Sequence, residues 1–224
     1  MARFIKSEKP IFVEIQLDKI ILEGNISIPE DSRGIVIFAH GSGSGRMSPR
    51  NRFVASILNQ NGLGTLLFDL LTRDEDEIDE QTAHLRFDIS LLSQRLIQTT
   101  DWLLNNPEIP ILDVGYFGAS TGAAAALVAA ATKPKIVKAV VSRGGRPDLA
   151  GTSLDHVKCP TLLLVGGYDD VVIDLNKEAL GKLQSKKKLI IIPEATHLFE
   201  EPGKLEQVAQ HASNWFKQYL GDSN

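Results

Sequence analysis

Cysteine is almost missing from this chain: Cys159 is the single one in 224 residues. That excludes an internal disulfide and suits a reducing compartment. Cys159 stands just before Pro160 at the head of an apolar run, the place of a small buried filler. Long apolar runs are also missing. No stretch approaches 18 residues, and residues 1–16 lack the unbroken apolar core of a signal peptide. The chain therefore reads as soluble and cytoplasmic, with no membrane insertion. A net charge of −4 and the lack of a basic run interleaved with aromatics argue against a nucleic-acid partner. Neither H-E-x-x-H nor C-x-x-C occurs, so a metal site has no support, and no organic cofactor is expected.

What is present is globular: 43% hydrophobic and 23% charged residues. No repeat or linker interrupts the chain, and residues 1–224 read as one domain. The first 30 residues hold two extended stretches, 11–15 and 20–28, with polar residues interleaved, which reads as antiparallel sheet. After Pro29 the rhythm changes. Short runs at 35–39, 65–68, 114–117, 136–141, 161–165 and 189–192 are apolar on both faces, as parallel strands covered by helices require. Between them the period is helical. Leu85, Ile89, Leu92, Leu96 and Leu103 trace one stripe, residues 120–131 are alanine-rich, and 204–220 put Leu205, Val208, Ala212, Trp215, Phe216 and Tyr219 on one side. Strands alternating with helices predict an α/β sheet with right-handed crossovers.

In such a sheet ligands bind at the carboxyl ends of strands, and polar residues gather there. Gly118-Ala119-Ser120-Thr121-Gly122 spells G-x-S-x-G between an apolar run and an alanine-rich helix. That setting presents a serine on a sharp strand-to-helix turn, where only small neighbours fit. After 35–39 comes His40-Gly41-Ser42-Gly43-Ser44-Gly45, which lacks the lysine and spacing of a nucleotide-phosphate loop. After 161–165 comes Gly166-Gly167-Tyr168-Asp169-Asp170, and after 189–192 comes Pro193-Glu194-Ala195-Thr196-His197. Serine, aspartate and histidine thus follow strands in an order that supports nucleophilic catalysis. The serine needs a base to take its proton, and the base needs a carboxylate to fix its tautomer. Ser120, Asp169 and His197 are the candidates, with Asp170 competing for the acid role. Thr121 N–H and Ser42 N–H are the candidate oxyanion donors. His40 reads as a brace for its own loop.

On these motifs the chain resembles the α/β-hydrolase superfamily, and within it the small dienelactone hydrolase-like branch. The resemblance covers nearly the whole chain: paired N-terminal strands, H-G-S-G, G-A-S-T-G, G-G-Y-D-D and A-T-H-L-F. It implies a mostly parallel central sheet of about eight strands with helices on both faces and little or no cap. It favours Asp169 through the G-x-x-D-x-x-V pattern from Gly166 to Val172. Dienelactone hydrolases proper carry cysteine at the elbow, whereas this chain has serine, which points to a broader carboxylic ester.

The expected activity is hydrolysis of a small carboxylic ester by a monomer or weak homodimer. A thioesterase or lysophospholipase-like acyl hydrolase would use the same residues. A catalytically silent scaffold that binds a small ligand or a protein is the alternative of another class. Two stretches bear on specificity. Residues 73–80 hold six acids and one base, more than the whole net charge of −4; they read as a solvated loop or as a flap that disfavours anions. In Ser142-Arg143-Gly144-Gly145-Arg146-Pro147-Asp148, either arginine can pair with Asp148 or hold a substrate carboxylate. Arg143 and Tyr168 are the candidate substrate-binding residues.

Overall fold

The computed structural model describes residues 5–221. Eight strands form one sheet: β1 (Ser7–Gln16), β2 (Ile21–Ile28), β3 (Gly34–Ala39), β4 (Gly64–Phe68), β5 (Asp113–Ala119), β6 (Val137–Arg143), β7 (Thr161–Gly166) and β8 (Lys187–Ile192). Their spatial order is β1-β2-β4-β3-β5-β6-β7-β8. The pairs β1/β2 and β2/β4 are antiparallel, and the rest are parallel. This is the α/β fold that the alternation implies. The runs apolar on both faces are the covered strands: every residue of β3, β4 and β7 is buried. The edge strands β1 and β8 are largely exposed.

The described residues hold six α-helices: α1 (Pro49–Gln60), α2 (Arg73–Thr82), α3 (Ile89–Asn105), α4 (Thr121–Thr132), α5 (Asp170–Lys182) and α6 (Lys204–Tyr219). One core gathers α3 and α4 residues such as Leu92, Leu96 and Leu127 against Ile37, Tyr116 and Val140. The other packs Val54 and Leu58 of α1 with Val208 and Phe216 of α6 against Phe38, Phe117 and Val141. Cys159 is buried and its thiol pushed up to about 12 by desolvation, so it is filler.

Two expectations need correction. The stripe that begins at Leu85 is not one helix: Leu85–Phe87 is a single 3₁₀ turn, and α3 starts afresh where Asp88 accepts the Leu91 N–H at 3.0 Å. A capping aspartate interrupts a period that side-chain polarity alone carries through. Residues 73–80 are neither a loop nor a flap but most of α2. Thr72 and Glu75 close a reciprocal capping box, with Glu75 Oε2 accepting the Thr72 N–H at 2.8 Å and Thr72 Oγ1 accepting the Glu75 N–H at 3.2 Å. Acids in that first turn favour the helix dipole, so the charge run is itself a helix-start signal.

The topology locates the site. The chain leaves β3 toward β4 on one side and returns to β5 on the other, so the loops after β3 and β5 part at a crevice. In register Ala39 pairs with Gly118, which brings His40-Gly41-Ser42 beside Ser120. A Cβ on Gly41 would stand 3.0 Å from Ser120 Cβ. A Cβ on Gly122 would overlap the carbonyl oxygens of Ala39 and His40. Gly122→Ala should therefore destabilise by about 3 kcal/mol or more, since backbone cannot yield as a side chain does. Gly181→Ala in α5, with open space around it, should instead stabilise by roughly 0.5–1 kcal/mol. Denaturant midpoints of the two variants check the pair.

Candidate active site

Ser120 is held at φ 50° and ψ −122°, a left-handed backbone that few side chains adopt, between β5 and the first residue of α4. Its N–H donates to Arg143 O at 3.2 Å, and its carbonyl accepts the Arg146 N–H at 3.0 Å. The turn is thus pinned from the β6 side. Thr121 opens α4, so its N–H has no acceptor within the helix. Its hydroxyl accepts the Ser42 N–H at 3.1 Å, tying the glycine loop to the elbow. The two candidate oxyanion donors therefore lie together, with one of them engaged by the neighbouring side chain.

Asp169 and His197 meet across the ends of β7 and β8: His197 Nδ1 lies 2.6 Å from Asp169 Oδ2. The histidine side chain is 38% exposed against 16% for the aspartate, so the carboxylate stands behind a ring that solvent and ligand can reach. Asp170 is exposed in the first turn of α5. His197 rides a tightly tethered loop. Glu194 and Phe199 both take positive φ, and Glu201 Oε1 accepts the Thr196 N–H at 3.1 Å. The Tyr168 N–H donates to Ala195 O at 2.9 Å. The Tyr168 side chain is exposed, and its hydroxyl makes no hydrogen bond among the described residues. The His197 ring packs over Gly144, where a Cβ would lie 3.5 Å from Nδ1. Ser120 Oγ and His197 Nε2 are not hydrogen-bonded to each other among the described residues, a looseness common before a ligand binds.

His40 braces its loop, as its position suggests. Its Nε2 accepts the Leu70 N–H at 3.0 Å, which leaves the proton on Nδ1 to donate to Gly41 O at 3.0 Å. Desolvation holds it below the usual histidine range, against the Gly41 bond and the carboxylates of Asp69 and Asp76. It is a neutral strut.

The two arginines after β6 separate cleanly. Arg146 holds Asp148 with both edges, Nε to Oδ1 at 2.9 Å and Nη2 to Oδ2 at 2.7 Å. Arg143, only 7% exposed, has no acid within ion-pair distance among the described residues. Desolvation and the Arg50 charge bring it down to about 10. It remains a cation at neutral pH, at a cost on the order of 3 kcal/mol relative to a hydrated guanidinium. Arg50, at the start of α1, is the neighbour that sequence reading missed; 93 residues apart, the two carry no pattern that joins them.

A cavity of about 1200 Å³ lies between the β1–β2 hairpin, the glycine loop and α2, lined by Glu23, His40, Gly45, Asp69, Asp76 and Arg86 among others. Its lining includes none of Ser120, Asp169 and His197, so size alone is a poor guide to the chemistry. The α2 wall is fixed in place. Asp79 is 1% exposed, accepts from Arg86 Nε at 2.5 Å and takes the Leu85 N–H at 2.7 Å. Among the described residues no helix is long and apolar enough to cross a membrane.

A serine on a strained strand-to-helix turn of a mostly parallel sheet, with an aspartate–histidine pair at later strand ends, is the architecture of the α/β hydrolases. The chain belongs to the dienelactone hydrolase family, whose model matches residues 22–220. It is similar to the dienelactone hydrolase of Anabaena variabilis, with 61% identity, a TM-score of 0.92 and coverage of 95% of this chain and 99% of that one. Est1E from Butyrivibrio proteoclasticus shares the fold at 18% identity, with a TM-score of 0.76 over 92% of this chain and 98% of that one. A Mycobacterium tuberculosis protein named "Putative phosphoribosyl transferase" is 55% identical over 208 residues, 93% of this chain. The chain spans 46% of the length of that curated relative.

Asp79 supplies a pH test of the α2 wall. Burial pushes its carboxyl up, but the Arg86 side chain and the N–H groups of Arg86 and Leu85 outweigh it and hold it below the usual range. Stabilisation from such a group is present above the unfolded carboxylate value and is lost as pH falls through the lower folded value. Asp79→Asn should cost about 2 kcal/mol at neutral pH, and the two proteins should converge in strongly acidic buffer. Urea midpoints across that range measure the difference.

Proposed function

We propose that this chain is a serine hydrolase that cleaves a small carboxylic ester through an acyl-enzyme on Ser120, within one domain spanning 1–224. The 2.6 Å contact of His197 Nδ1 with Asp169 carries the reading. With Nδ1 engaged by Asp169, Nε2 is the nitrogen left to act as base. Ser120 Oγ attacks the ester carbonyl while His197 Nε2 takes its proton. Asp169 holds the tautomer and stabilises the imidazolium. The tetrahedral oxyanion faces Thr121 N–H and Ser42 N–H, the latter shared with or released by the Thr121 hydroxyl. Collapse breaks the ester C–O bond, and the leaving alkoxide takes the proton from His197. A water then repeats the sequence on the acyl-enzyme, returning the acid and free Ser120.

Membership in the dienelactone hydrolase family supports hydrolysis. The transferase name of the mycobacterial relative describes a chain about twice as long, and the hydrolase reading rests on residues within the shared part. Thioester or lysophospholipid substrates would use the same residues, and a panel of acyl-chain lengths separates them from short esters.

A fluorophosphonate probe should label the wild-type protein at Ser120, mapped by peptide mass. Ser120→Ala should remain folded, fail to label, and lose on the order of 10³-fold or more in kcat. Near wild-type turnover in that variant removes Ser120 from the nucleophile role; an unlabelled, inactive wild type leaves the silent-scaffold reading standing. Asp169→Asn should lose far more kcat than Asp170→Asn, because an amide favours the wrong imidazole tautomer. The reverse order would make Asp170 the triad acid.

A further inference from the structure

Arg143 is a buried cation without a counter-charge among the described residues. Its Nε and Nη1 are buried without a hydrogen-bond partner, and no carboxylate lies within ion-pair distance among the described residues. The charge that bears on it has the same sign: Arg50, whose Nη1 donates to Glu200 Oε1 at 2.9 Å while its own Nε is also buried and unpartnered. A buried guanidinium is ordinarily paired, since an unpaired charge in the interior costs several kcal/mol. Ordered water can satisfy its N–H groups but leaves the charge in place.

Its position ties this anomaly to the site. Arg143 is the last residue of β6, and its carbonyl accepts the Ser120 N–H. Gly144, next along, lies under the His197 ring. Strand alternation sends Arg143 to the same face as Ala139 and Val141, which pack in the α1–α6 core, so it projects toward the start of α1. Its main chain thus adjoins the Ser120 turn, while its side chain runs to the α1 side of the sheet. The Arg146–Asp148 pair removes the obvious internal acid.

We propose that Arg143, backed by Arg50, is an anion-recognition site of the Ser120 centre, and that its occupant is an oxyanion group, carboxylate or phosphate, borne by the substrate. This deepens the hydrolase reading and rests on it for the word substrate, while anion binding itself does not. The guanidinium offers a planar fork that suits either oxyanion. The buried positive charge is unfavourable in the free protein and is offset when the oxyanion enters. Arg143 is therefore a specificity determinant, with no part in moving protons.

The test has a binding arm and a kinetic arm. Melting temperatures of wild type, Arg143→Met and Arg143→Lys are measured with glutarate, with inorganic phosphate and with the neutral diamide glutaramide, at constant ionic strength. The wild type should rise by a few degrees with at least one of the two anions and not with the neutral diamide; the anion that acts identifies the source. Arg143→Met should lose that response and, without anion, melt above the wild type because an unpaired buried charge is gone. A wild type indifferent to both anions, or an Arg143→Met protein that keeps the response, overturns the proposal.

In the kinetic arm, kcat/KM is compared for 4-nitrophenyl hydrogen glutarate and its methyl-capped neutral counterpart. The acid-to-neutral ratio should fall roughly tenfold to hundredfold in Arg143→Met, the size of a lost charged hydrogen bond. Arg143→Lys should restore part of it, because charge returns without the fork. An unchanged ratio overturns the specificity role. A wild type that turns over neither ester yet keeps the Arg143-dependent melting shift refutes the hydrolase reading and leaves the anion site standing.

Discussion

The close approach of two backbones, the end of β3 and the start of α4, is the constraint on which the rest depends. The sheet reverses its strand order between β3 and β5, opening a crevice at their carboxyl ends. The loop after β3 fills it by pressing directly on the elbow. Gly122 lets the carbonyls of Ala39 and His40 stand against the helix, and Gly41 lets the loop lie against Ser120. With that contact made, Ser120 takes its left-handed backbone, and the Thr121 hydroxyl comes within reach of the Ser42 N–H. The strain at one residue is held by the packing of two elements that share hydrogen bonds on both flanks.

Around that contact the polar groups divide into those satisfied within the protein and those left open. His40, Asp79 and Arg146 have their partners and act as struts. The exposed ring of His197, with its carboxylate behind it, and the guanidinium of Arg143 do not form closed pairs in the same sense. A buried polar group without a partner is unfavourable, and the proposed anion site accounts for its retention on the strand beside the candidate nucleophile. The acidic α2 contrasts with this. Its charge faces a large cavity, yet its capping box and the Asp79–Arg86 pair make it a rigid wall.

Much of this was legible in the residues themselves because the relevant signals are local. Apolar runs of five or six residues announced the covered strands, and the alternation with helical period announced the parallel sheet. The G-A-S-T-G pentapeptide between such a run and an alanine-rich helix announced the elbow. Strand-end placement of Asp169 and His197 nominated the pair that meets at 2.6 Å. Local signals also misled where two coincided: the acids of 73–80 were both a charge run and a helix start, and Asp88 hid a helix boundary inside an apolar stripe.

The amino-acid sequence by itself determined the fold class, the strand ends that carry chemistry, and the small residues the elbow needs, since each depends on neighbours within a few positions. Only the tertiary structure decided the rest. Sequence order cannot distinguish Asp169 from Asp170 at the imidazole; the turn before α5 does, sending one inward and the other to solvent. Nor can it tell that Arg146 takes Asp148 and leaves Arg143 buried near Arg50, because that assignment depends on strand register and on a helix 93 residues away. Pairing of charges is a property of three-dimensional distance, and distance is what folding alone supplies.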